Sequence, residues 1–359
     1  MFTVDSSLRV ARILCIDGGG IRGLIPASLI ANWEAQLRTP LAERFHLIAG
    51  TSTGGILACG LCRPSQPLSG LELVQFYVTR GPLIFRHSPW QKLLALFDQR
   101  YSARPLEEAL QQALSGRLAQ VTRTDLLVPA YDIEQRKPFF FKSWKARGLQ
   151  LDPEETAAAR DFTLFDVARA TSAAPTYFEP AQVANARGDS CALVDGGVFA
   201  NNPAMCAYAS ARQLFPNAEE YLIVSLGTGE LERCYPYAKA RNWGLFGWAR
   251  PLLSVIFDGV SDTVDYQLNQ LSPQVTHYRF QISLGADEHS YPCANDDLDD
   301  ASSENLERLR TMAQVLLERE AAASQAVVRR LAAPLCPRQE LGYPEPSLIG
   351  SPAELPSRV

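Results

Sequence analysis

The stretch Leu47-Ile48-Ala49-Gly50-Thr51-Ser52-Thr53-Gly54-Gly55-Ile56 changes character twice within ten residues. Residues 47–49 are an apolar run that reads as strand, 50–54 read as a tight turn, and the spacing from Ile56 onward is helical. Strand, turn and helix are the setting in which G-x-S-x-G makes a nucleophile elbow. Gly50 and Gly54 let the strand and the helix approach closely. Ser52 then stands at the strand's C-terminal edge, with its hydroxyl near the partial positive charge of a helix N-terminus. A turn of small residues that serves only packing is the alternative reading of such a pattern.

The same construction occurs upstream. Arg12 to Ile16 is a short, mostly apolar run, Asp17 and the run Gly18-Gly19-Gly20 follow, and 21–37 have helical spacing. Two such units in succession predict parallel strands joined by crossover helices, hence an α/β fold. Two neighbouring parallel strands would set the glycine loop beside Ser52. Such a loop has two uses. Residues 18–23 fit G-x-G-x-x-G, the fingerprint of a dinucleotide site, but that site wants an acidic residue at the end of its second strand, where this chain has Gly50 and Ser52. The other use is an oxyanion hole, in which glycines bare their backbone N–H groups and the following helix adds positive potential, with Arg22 in support.

Further along, Ser69 and Glu72 form a capping box for a helix to about residue 80, and Pro105 opens a helix toward Leu114. Residues 126–133 and 138–142 read as strands. Thr163 and Asp166 cap another helix, 191–194 is a strand, Asn202 and Pro203 start a helix, and 221–226 is the last central strand. Residues 251–271 have helical spacing, 277–282 look like an edge strand, and 303–332 read as one long amphipathic helix. The chain to residue 332 is expected to form one domain. Six prolines in residues 334–359 suggest a disordered tail from residue 333.

Composition excludes several classes of protein. With 47% apolar residues in 359, the chain can offset the entropy of folding, and its net charge of −5 without a basic tail argues against DNA or RNA as a partner. The eight cysteines are scattered and read as reduced thiols of a cytoplasmic protein. Cys59 and Cys62 lack a second pair for zinc. Asp296, Asp297, Asp299 and Asp300 precede a helix start, where its dipole favours them, and their spacing matches no metal loop. No metal and no cofactor are expected. The uncharged stretch 45–62 is broken by glycines and by Thr51, Ser52 and Thr53, so it does not read as a membrane span.

A serine nucleophile needs a base. His46, His87, His277 and His289 are the only histidines, and none sits in a glycine-bounded loop after a strand. Asp195 does, since it follows the strand 191–194 and precedes Gly196 and Gly197. Ser52 and Asp195 are therefore the candidate catalytic pair.

The segments DGGGIRG (17–23), GTSTGG (50–55), ATSAAPTYF (170–178), DGGVFANNP (195–203) and SLGTG (225–229) resemble, in order and wording, the successive motifs of the patatin-like phospholipases. The resemblance covers about residues 10–230. It implies a three-layer α/β/α fold with a mainly parallel central sheet and a Ser-Asp dyad, Ser52 and Asp195. Gly18, Gly19, Gly20 and Arg22 would form the oxyanion region, and membrane phospholipids would be the substrate. In overall form the chain is also similar to phospholipase effectors of bacterial anti-phage systems. That likeness implies a cyclic dinucleotide as activator, assembly as a homo-oligomer, and cytoplasmic protein that meets the inner membrane peripherally when active. Two stretches have the aromatics and cations that suit a lipid interface: 83–97 (Phe85, Arg86, Trp90, Lys92, Phe97) and 239–257 (Arg241, Trp243, Phe246, Trp248, Arg250). They equally suit a core edge or a dimer contact. The rival functions are a nicotinamide-dependent oxidoreductase using the glycine loop and a catalytically idle storage or binding protein on this fold.

Overall fold

The structure, a computed structural model, describes residues 8–86, 101–230, 235–285, 294–295 and 297–344. Eight strands form one sheet: β1 (Val10–Ile16), β2 (Leu47–Gly50), β3 (Asp125–Asp132), β4 (Lys137–Lys142), β5 (Ala181–Ala184), β6 (Ser190–Asp195), β7 (Glu220–Leu226) and β8 (Val275–Phe280). The run β3-β2-β1-β7-β8 is parallel, with Ile16 opposite both Gly50 and Leu226. Strands β4 and β6 are antiparallel to β3, and β5 is antiparallel to β6.

Helices cover both faces, which is why β1, β2 and β7 are near-continuous apolar runs. The helices are α1 (Leu24–Leu37), α2 (Thr53–Leu61), α3 (Gly70–Ile84), α4 (Arg104–Ala113), α5 (Leu164–Thr171), α6 (Ala204–Leu214), α7 (Leu245–Asn269), α8 (Ser303–Arg319) and α9 (Ala321–Ala332). Alternation along β1 sorts the core. Leu14 and Ile16 pack with α1, α2, α5 and α8, whereas Ala11, Ile13 and Cys15 pack with α6 and the end of α7. The expected three layers follow directly. The predicted capping box is present, with Ser69 and Glu72 satisfying one another's backbone N–H groups.

The pairing of β3 sets the site. Leu127 is opposite Ala49 of β2 and Lys142 of β4, and Ala130 is opposite Asp195 of β6 and Phe139 of β4. A strand has two edges, and β4 occupies one from Leu127 to Asp132. Strands β2 and β6 therefore share the other edge and meet end to end, with their C-termini pointing at each other across the width of Val128 and Pro129.

Four expectations need correction. The helix predicted over 303–332 is interrupted at Glu320, whose backbone (φ −96°, ψ 26°) leaves the helical region. The chain is thereby redirected so that the Ser324 hydroxyl accepts from the Trp33 indole at 2.9 Å. The edge strand begins at Val275 rather than 277, and β5 was not predicted at all.

The tail was expected to be disordered from residue 333, yet residues 333–344 pack on the sheet. The Arg12 guanidinium donates to the carbonyls of Ala333 and Pro334. His46 Nδ1 accepts the Arg12 N–H at 2.9 Å, which leaves Nε2 to donate to the Cys336 carbonyl at 2.8 Å. Leu341 is fully buried and Tyr343 stacks on Phe215. Residues 345–359 lie outside the described residues. Leu341→Ala should cost about 2–5 kcal/mol of stability in urea unfolding, the range for burying a cavity in a packed core, where a disordered tail would cost nothing.

Candidate active site

The turn after β2 is a crowded piece of backbone. A Cβ on Gly50 would lie 2.0 Å from the Gly54 carbonyl oxygen, and one on Gly54 would lie 2.1 Å from the Ile16 oxygen. Both ends of G-x-S-x-G thus need glycine because the start of α2 is pressed against β1 and β2. Between them Ser52 takes φ 54° and ψ −122°, a backbone that L residues rarely adopt. Its N–H donates to Thr171 Oγ1 at 2.9 Å, and Thr171 Oγ1 donates to the Pro129 carbonyl at 2.7 Å. Thr171 therefore ties the elbow to the stretch of β3 that lies between the two strand ends.

Asp195 ends β6 on the other side of that gap. Its Oδ1 accepts the Gly197 N–H at 2.7 Å, at the start of the one-turn helix Gly197–Ala200. A Cβ on Gly196 would strike the Pro129 oxygen at 2.4 Å, so the DGG sequence lets β6 turn away close to β3. Burial pushes the Asp195 carboxyl up to about 7; the Ser52 hydroxyl and the Gly197 N–H pull the other way and do not cancel it. Asp195 Oδ2 is buried and completes no hydrogen bond of normal geometry. The hydroxyl and the carboxyl are adjacent but not yet closed on one another, as is common before a substrate binds.

The glycine loop lies against Ser52, for a Cβ on Gly18 would be 3.3 Å from the serine Cβ. The Gly18 N–H, however, donates to the Asn201 carbonyl at 3.0 Å, which spends one of the three donors expected for an oxyanion. Among the described residues none accepts the N–H groups of Gly19 and Gly20, and Gly20 holds φ 58° where the chain enters the helical turn Gly20–Gly23. Arg22 Nε reaches back to the Gly19 carbonyl at 3.3 Å, so this side chain braces the loop. The Thr228 hydroxyl donates to the Gly18 carbonyl, and the Leu298 carbonyl accepts from Ile21. Beneath the loop, buried Asp17 pairs with Arg279 of β8 at 2.7 Å. Burial still raises the Asp17 carboxyl to about 6.

An apolar pocket opens from Ser52 and Asp195, lined among others by Ile56, Ile84, Phe85, Tyr177, Phe178 and Phe257. It suits an acyl chain far better than a nicotinamide ribose, and β2 ends in glycine where a ribose acid would be needed.

The patatin-like phospholipase profile matches residues 14–208. Patatin-like protein 4 of Arabidopsis thaliana is 31% identical over 85% of this chain and 83% of its own length, and Patatin-15 of Solanum tuberosum is 30% identical over 86% and 83%. This chain belongs to the patatin-like phospholipase family. Among solved structures it is similar to human GIVD cytosolic phospholipase A2, at 12% identity and a TM-score of 0.45 over 95% of this chain and 61% of that one. As a member of the patatin-like phospholipases it is a lipid acyl hydrolase.

Neither described histidine approaches the pair. His46 is held at the far end of the sheet by Arg12 and Cys336, and His277 lies on edge strand β8; burial lowers both to about 4. His87 and His289 lie outside the described residues, as do Trp90, Lys92, Phe97 and Asp296. Among the described residues no group of acids, histidines and cysteines forms a metal site, and no helix is long and apolar enough to cross a membrane. Thr171, Asn201 and Thr228 stand in segments whose wording was visible, but their partners are set by folding. Arg279 gives no local signal in the sequence.

The raised carboxyl has a consequence for stability. Between about pH 4 and 7 the native protein keeps a proton on Asp195 that the unfolded chain has lost, so this group makes stability fall as pH rises through that window. Asp195→Asn removes the penalty and retains an acceptor for the Gly197 N–H. Its melting temperature should equal or exceed that of wild type at pH 8, with the difference shrinking toward pH 4 in thermal melts.

Proposed function

We propose that Ser52 is the nucleophile and Asp195 its general base in the hydrolysis of fatty acyl esters of membrane phospholipids. The observation that carries the reading is the buried Asp195 carboxyl, raised to about 7 and adjacent to the Ser52 hydroxyl. An ordinary carboxylate near pH 4 is too weak a base for an alcohol; desolvation brings this one to the range where a base is both ionised and effective at neutral pH.

In the first step Ser52 Oγ bonds to the ester carbonyl carbon while its proton passes to Asp195. The carbonyl electrons move onto oxygen, and the N–H groups of Gly19 and Gly20, with the N-terminus of α2, balance that charge. Collapse expels the alcohol, which takes the proton from Asp195 and leaves an acyl-Ser52 ester. Water, deprotonated by the same carboxylate, then releases the fatty acid. No imidazolium forms, so the loop at Gly19 and Gly20 faces a larger share of the developing charge than in a Ser-His-Asp site.

A fluorophosphonate probe should label Ser52 and no other serine, and labelling that survives Ser52→Ala would defeat the assignment. Asp195→Asn should lower turnover of a soluble chromogenic ester about 10²–10⁴-fold. Because the base must be ionised, kcat/KM should rise with pH and level off above about 7. His277→Gln should leave most of the activity. The narrower likeness to effectors switched by cyclic dinucleotides adds a second arm to the assay: a rise in hydrolysis when a panel of them is added supports such regulation, and full basal activity that none of them changes counts against it.

A further inference from the structure

Helix α7 breaks the usual rule for a surface helix over its first half. Trp248, Leu252 and Val255, spaced i, i+4 and i+7, are 38%, 48% and 45% exposed. Further along the same outward line come Gly259, Asp262 and Tyr266, the last 68% exposed, so the aliphatic part of the stripe ends at Val255. Opposite this line Phe257 is buried, lies against Gly197 and lines the pocket that holds Ser52 and Asp195. A helix apolar on both sides is ordinarily buried on both, and here one side is bare.

The segment leading into α7 has the chemistry of a headgroup region. Tyr237 is 80% exposed, Lys239 and Arg241 are exposed, and Trp243 packs edge-on against Trp248 with centroids 5.2 Å apart. Aromatics and cations next to an aliphatic stripe suit the boundary between headgroups and acyl chains. At the opposite lip of the pocket, Leu83 is exposed at the end of α3, just before the pocket residues Ile84 and Phe85.

We propose that the outward face of the first half of α7, with residues 237–243, docks on a phospholipid bilayer and sets the pocket mouth at the lipid surface. The occupant is a bilayer rather than a second copy of this chain for two reasons. The aliphatic stripe lies in the turns just before Phe257, which lines the substrate pocket, and the exposed cations Lys239 and Arg241 precede it. The lipid itself rests on the hydrolase reading above.

The test compares wild type with Leu252→Glu/Val255→Glu, using vesicles of phosphatidylcholine with a quarter phosphatidylglycerol and a soluble short-chain chromogenic ester. The double variant should bind and hydrolyse vesicles at least tenfold less well, hydrolyse the soluble ester within twofold of wild type, and keep the same oligomeric state. Brominated lipid should quench wild-type tryptophan fluorescence, and Trp243→Phe/Trp248→Phe should remove most of that quenching, a readout that does not depend on the Leu252→Glu/Val255→Glu variant folding. Vesicle binding unchanged by the double substitution, or a wild-type dimer that it merely dissociates, overturns the docking surface. Wild-type protein that hydrolyses the soluble ester but never binds vesicles also overturns the docking surface and leaves the hydrolase reading standing. Protein that hydrolyses neither substrate defeats the hydrolase reading instead.

Discussion

Strand β3 carries two partners on one edge, and the space between their ends brings together Ser52 and Asp195, the proposed catalytic pair. Strands side by side are about 4.8 Å apart with side chains directed above and below the sheet, a poor way to aim a hydroxyl at a carboxylate. Strands that meet end to end point their terminal residues at each other. The gap leaves part of β3 without a strand partner on that edge, and the residue there is Pro129. N–H and C=O of one strand residue face the same edge, so the proline lacks the donor that the gap would have stranded. Its carbonyl is satisfied by Thr171, which also accepts the Ser52 N–H. One hydroxyl thus closes the hydrogen bonding of the gap and fixes the strained elbow.

Two buried carboxylates near the loop are treated in opposite ways. Asp17 has a guanidinium 2.7 Å away; Arg279 also donates to Ser225 and pairs with Asp265, binding the end of β1 to β7, β8 and α7. Such a pair contributes little net stability once desolvation is counted, but it sets where the loop stands. Asp195 has no cation among the interactions that shift it. An arginine beside it would favour the carboxylate and take back part of the basicity that desolvation confers, as Arg279 does for Asp17. Burial raises both carboxyls; the one with a guanidinium partner braces the loop, and the one without is the proposed base.

The parts of this arrangement that could be read from the sequence are those enforced within a few residues. Glycines at 50 and 54, the glycine run after β1 and the capping box at Ser69 answer to local backbone sterics and capping, so their spacing announced the elbow, the loop and the helix start. The pairing direction of β6 was not legible, because Ser190–Asp195 has the same composition whether it runs parallel or antiparallel to β3. Nor was the loss of the Gly18 donor, which depends on Asn201 from a segment 183 positions away. The proline-rich run after residue 332 looked unfoldable by composition, yet it is tied down by Arg12 and His46 and buries Leu341, partners that lie hundreds of positions earlier.

Desolvation links α7 to Asp195, the proposed base. Phe257 lies against Gly197, the residue whose N–H holds Asp195 Oδ1, so α7 is part of what keeps water from the carboxyl. A helix that simply swung away to admit substrate would hydrate Asp195 and return it toward an ordinary acidity, costing the proton transfer that the opening was meant to serve. In the proposed docking, a lipid chain enters beneath a helix seated on lipid, so one apolar cover replaces another. An apolar outer face on α7 lets access and dryness coexist, and that is the condition under which a carboxylate without histidine can activate a serine.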